Sequence, residues 1–182
     1  MHIPDGFIDI PTSTAFVALA GAGVALSLKG ARSSLDDKTA PLAGLTATFI
    51  FAVQMLNFPV AAGTSGHLLG AALATVLVGP YAATLALTIV LLLQALLFAD
   101  GGLSALGLSA FNMSIVAVWV SYAIFFTLKK ILPKTKSSTA AAAGIAALIS
   151  VPAAAASFVL QYAIGANATF SVSAVLAAMI GT

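Results

Sequence analysis

The chain has 182 residues, is 61% hydrophobic and only 7% charged, and carries a formal net charge of +2. So little charge cannot cover the surface of a water-soluble domain of this size, and so small a net charge gives no pull toward nucleic acid. Cysteine is absent, which excludes disulfides and thiolate metal sites.

The chain begins Met1-His2-Ile3-Pro4-Asp5-Gly6-Phe7. Pro4, Asp5 and Asp9 precede any apolar run and no basic stretch is present, so this is not the pattern of a signal peptide. The sequence reads as beginning at a functional start. Apolar runs long enough to cross a bilayer as helices follow, each needing roughly 20 residues. The alternation of a membrane β-barrel is absent. Span 1 is predicted over about 12–28 and span 2 over about 40–56. Span 3 is short, about 66–78, because Gly79-Pro80 breaks the helix. Span 4 runs over about 81–99, span 5 over about 111–128, and span 6 over about 139–164 with Pro152 as a kink. Span 7 begins near Ser171 and is short, as if the chain were cut. The expected fold is all-α: a polytopic transmembrane bundle of about seven helices, one domain over 1–182 that opens with a distinct N-terminal segment, 1–8.

The basic residues fall in two places, Lys29, Arg32 and Lys38 after span 1 and Lys129, Lys130, Lys134 and Lys136 after span 5. Positive loops stay cytoplasmic. The N-terminus is then extracytoplasmic and the C-terminus cytoplasmic, in a cell (inner or plasma) membrane. His2, His67, Asp5, Asp9 and Asp100 come out on the extracytoplasmic side. No ionisable residue falls in the middle of a span, which argues against a proton-relay pump.

A histidine at position two has a specific chemical use. The α-amine of Met1, the backbone nitrogen of His2 and its Nδ1 can chelate one metal through fused five- and six-membered rings. A further imidazole completes a square plane of nitrogens, the geometry of Ni(II) or Cu(II). Zinc prefers a tetrahedron, and magnesium and calcium prefer oxygen. His67 is the only other histidine. Its small neighbours, Gly63 to Gly66, would let the N-terminal strand approach closely. Plainer readings stand beside these. A lone histidine at a helix end is often a hydrogen-bonded interfacial residue. Asp100 fits a turn and Asn112 a helix start. Trp119 and the phenylalanines suit a lipid-facing surface.

Several segments together resemble the M components of nickel and cobalt energy-coupling-factor transporters, the CbiM/NikM family. They are residues 1–7, Leu56-Asn57-Phe58-Pro59-Val60, Gly63 to Gly70, the Gly79-Pro80 turn, and Gln94 to Gly102 through Asn112-Met113. The likeness covers the whole chain, although family members tend to be longer. It implies a bundle of about seven helices, with the N-terminal helix additional to six shared with related substrate-binding components. It implies a metal held by the Met1 amine, the His2 backbone and ring nitrogens, and His67. The implied partners are a transmembrane coupling (T) subunit, cytoplasmic ATPase subunits and a small accessory membrane subunit, and transport would involve tilting of the loaded subunit.

The function expected is capture and import of Ni(II), favoured, or Co(II), as transported ligand and not as cofactor. Asp5, Asn57, Thr64, Ser65, Asp100 and Asn112 are candidates to hydrogen-bond around the metal ligands. No Walker motif is present, so ATP hydrolysis would belong to a partner and the chain is not itself an enzyme. An intramembrane metallohydrolase lacks its general base, since there is no His-Glu-x-x-His motif and no glutamate. A stand-alone permease or channel is the alternative, and would need polar rings through the spans, which are scarce.

Overall fold

The structure is a computed structural model that describes residues 2–56, 58–59, 65–167 and 170–180. Among the described residues, six helices carry the fold. They are α1 (Ile10–Ser34), α2 (Thr39–Gln54), α3 (Ala71–Phe98), α4 (Leu106–Ile131), α5 (Lys136–Gly165) and α6 (Val172–Ile180). Four of them, α1, α3, α4 and α5, are long and apolar enough to cross a membrane, and α2 is a shorter apolar helix. Leucine, isoleucine and phenylalanine side chains stand exposed along these helices, as expected where the surrounding solvent is hydrocarbon. Alanine is the commonest residue of the interior, which lets helix backbones approach closely.

Helix α3 is not one rod. A continuous 28-residue helix would extend about 42 Å. Yet both ends of α3 lie against the end of α2. The Gln54 side-chain amide donates to the Leu69 carbonyl at 2.8 Å. At the far end of α3, the Phe98 ring lies 5.3 Å from Phe51. Tyr81, in contrast, packs against Gly30, near the opposite end of α1. The chain therefore descends through 71–78, reverses at Gly79 and returns through 80–98. Gly79 has φ 78° and ψ 166°, a conformation open essentially only to glycine. Pro80 follows, where its missing N–H costs no helical hydrogen bond. The descending arm is short because residues 67–70 are not helical. They follow a two-residue antiparallel pair, β1 (Phe58–Pro59) with β2 (Ser65–Gly66). Helix therefore begins at Ala71, five residues later than the sequence suggests.

Helix α4 also differs from expectation. It starts at Leu106, not near Phe111, and passes through a π-helical segment at Phe111–Val116. Asn112 is therefore no helix start. It is fully buried within the helix, and its amide exchanges two hydrogen bonds of 2.9 Å with Gln161 of α5.

The start of the chain is threaded into the bundle. Ile3, Phe7 and Ile8 are buried. The Ile3 carbonyl accepts from Gly102 N–H at 2.8 Å, and Ile3 N–H donates to Ser109 Oγ at 3.4 Å. On the other side, Asp9 N–H donates to the Gly165 carbonyl at 2.8 Å and Asn167 N–H to the Phe7 carbonyl at 3.2 Å. The Phe7 ring packs on Tyr162 at 5.2 Å and on Phe158 and Phe170 at 6.1 Å each. Asp9 then caps α1, its Oδ1 accepting from Thr12 N–H at 2.9 Å.

Candidate metal-capture site

The strand from His2 to Phe7 and the extended segment after β2 meet at the end of the bundle where α2 and α3 finish. There the rings of His2 and His67 lie 4.8 Å apart between centroids, tilted by 36°. Two imidazoles bound side by side to one ion, with metal–nitrogen distances near 2.0 Å, would place their centres about 4.5 Å apart. His67 Nδ1 lies 3.0 Å from the Leu68 carbonyl oxygen. A carbonyl only accepts, so Nδ1 carries the hydrogen and the lone pair sits on Nε2. On the His2 ring, Nε2 is 3.6 Å from Asp100 Oδ2. The opposite nitrogen, Nδ1, faces Gly101, where a Cβ would stand only 3.2 Å away. Gly101 has φ +100°, which places it in the turn without a side chain between the ring and the backbone.

Both histidines are held neutral. Burial pushes His2 down to about 3, aided by the positive charge of the N-terminus and by His67. Burial likewise lowers His67 to about 4, with the N-terminal charge adding to it and the Leu68 carbonyl opposing it. An imidazole must be neutral to bind a metal, and these two are so throughout the physiological range.

The acidic candidates have different surroundings. Asp5 Oδ1 accepts from Ser104 Oγ at 2.6 Å and Ser104 N–H at 2.7 Å. These bonds hold its carboxyl below the usual range and tie the strand to the 100–104 turn. Asp100 stands beside the His2 ring. Asn112 is engaged with Gln161. Met1, Asn57 and Thr64 lie outside the described residues, and Ser65 is placed by its backbone in β2. The sequence reading missed Gly101 and Gly102 as the surface on which the N-terminal strand lies, and Ser104 and Ser109 as its anchors. The Ala99-Asp100-Gly101-Gly102 turn signal was the available clue. It marks backbone freedom without saying what packs there.

A family model described as "Cobalt uptake substrate-specific transmembrane region", CbiM, matches residues 2–182. The chain is 45% identical over 130 residues to a provisionally named fused nickel transport protein NikMN of Archaeoglobus fulgidus, covering 71% of this chain and 43% of that protein. It is 33% identical over 132 residues to the cobalt transport protein CbiM of Kyrpidia tusciae, covering 71% of this chain and 53% of that one. The chain thus spans about half the length of these curated relatives, or less. A crystal structure of a truncated transition metal transporter superposes with a TM-score of 0.90 at 29% identity, over 100% of this chain and 88% of that one. With the family model matched over all but the first residue, the chain belongs to the CbiM family of substrate-specific transmembrane regions.

Proposed function

We propose that this chain is the metal-capturing membrane subunit of an ATP-driven uptake system for Ni(II) or Co(II). The proposed topology has seven membrane passes, with the two arms of α3 counted separately, the N-terminus extracytoplasmic and the C-terminus cytoplasmic. The observation that carries the reading is the pairing of His2 with His67, the chain's two histidines, ring beside ring at 4.8 Å. A neutral imidazole at position two, paired with a second from His67, is suited to a square-planar nitrogen site. The Met1 amine and the His2 amide would supply the other two nitrogens, and the His67 Nε2 lone pair the fourth. Nickel is the favoured cargo because ionising a backbone amide takes a strongly Lewis-acidic ion of this geometry. Asp100 is suited to hold the outer nitrogen of His2 once the metal occupies the inner one. Coupling and ATP hydrolysis belong to partners, a transmembrane coupling subunit and cytoplasmic ATPases with a small accessory membrane subunit. The CbiM and NikMN relatives, named as cobalt and nickel transport proteins, support the cargo class.

The test is equilibrium Ni(II) and Co(II) binding to the purified chain with a native Met1 amine, beside the same chain extended by one residue. Loss of tight binding only in the extended form, with the visible bands of square-planar nickel, is expected. Equal binding by both forms would place the metal elsewhere. Uptake by the chain alone in vesicles would favour the stand-alone permease.

A further inference from the structure

A cavity of about 330 Å³ opens beside the His2 ring, lined by His2, Pro4, Asp5 and the 99–102 turn that carries Asp100. A divalent cation with six waters occupies about 180 Å³ at the liquid volume of water, so the fully hydrated ion fits. His2, 6% exposed, lines this cavity, and its buried Nε2 makes no hydrogen bond but stands 3.6 Å from Asp100 Oδ2. The Asp5 carboxylate is locked at its rim by two bonds from Ser104, both to Oδ1. The turn allows the space: Gly101 and Gly102 face His2 and Asp5, and a Cβ on either would crowd them.

We propose that this cavity is a receiving chamber for the hydrated divalent cation. Asp5 and Asp100 hold the ion there through its coordinated waters before nitrogens replace them. The inference rests on the capture site proposed above. Carboxylate oxygens bind first-row divalent ions weakly and release them readily, which suits a station that hands its ion on. The transfer exchanges waters for the amine, amide and imidazole nitrogens, and the amide proton and the ammonium proton of the N-terminus both pass to solvent. The entering ion carries two positive charges. The finished chelate, with its ionised amide, carries one fewer. A carboxylate at the rim therefore pulls harder on the arriving ion than on the bound one, and it acts more on the association rate than on dissociation.

The experiment is stopped-flow Ni(II) binding to the full chain with native Met1, comparing wild type with Asp5→Asn. The asparagine keeps an Oδ1 acceptor for Ser104 and removes only the charge. The expected result is an association rate about five- to tenfold lower at low ionic strength. That gap should close near 1 M salt, where the screening length falls to about 3 Å, with dissociation changed less than association. Asp5→Ala, which loses the tether as well, should show the same slower association together with faster dissociation. Equal association rates at low salt, or an effect of Asp5→Asn confined to dissociation, would overturn the chamber. A wild-type chain that fails to bind Ni(II) tightly would instead defeat the capture-site reading, so the two failures are distinguishable.

Discussion

Gly101 sets the tolerance of the site at the scale of a single residue. Its φ of +100° and a Cβ position 3.2 Å from His2 Nδ1 mean that alanine is both strained and crowding. Gly101→Ala should weaken Ni(II) affinity by at least about tenfold, or about 1.4 kcal/mol, measured by competition titration. An unchanged affinity would show that the His2 ring has room to move. The histidines also make stability depend on pH. Both have folded-state values below the unfolded value of 6.5, at about 3 and about 4. Above 6.5 both states are neutral and neither histidine contributes. As pH falls from about 6.5 toward 4, the unfolded chain takes up protons that the folded chain refuses, and stability is lost. Thermal unfolding of the metal-free chain in detergent should therefore shift downward between pH 7 and pH 5, and less in His67→Gln. The two histidines were visible in the sequence because there are only two and one stands at position two. The Asp5–Ser104 and Ile3–Gly102 ties were not, because nothing local in either segment encodes a partner about a hundred positions away.

At the scale of the element, the apolar runs showed where the chain could be helical, and Gly79-Pro80 where it had to break. The two-residue β1–β2 pair, the extended 67–70 segment and the π segment of α4 were hidden. Each is an irregularity imposed by packing, not by periodicity. Gly79→Ala isolates the reversal. No atom lies within 4 Å of the added Cβ, so the cost is backbone strain alone, about 1–3 kcal/mol. It should appear as a lower unfolding temperature in detergent. The Asn112–Gln161 pair fixes the π segment to α5. Replacing either amide by leucine strands the other in the core and should cost about 1–3 kcal/mol. The double replacement should cost less than the sum of the singles, a coupling that a double-mutant cycle reads directly.

At the scale of the whole molecule, the distribution of lysines divides the bundle into two ends, with the histidines at one and the basic turns at the other. The chain has no cysteine, so single cysteines report sidedness without interference. On the proposed topology, Leu103→Cys should react with a membrane-impermeant maleimide on intact cells, and Lys134→Cys only after permeabilisation. The reverse pattern would invert the orientation and remove the extracytoplasmic site.

The threading of the N-terminal strand also carries a consequence for assembly. Residues 3–9 are held by the 102–109 stretch on one side and by Gly165, Ala166 and Asn167 on the other. Residues 3–9 are thus secured in part by residues 165–167, far along the chain. Loops closed over such distances form slowly. Until α5 is in place, the His2 strand has only half its seat, so the end of the bundle where the two histidines meet takes shape only after the helices through α5 have assembled.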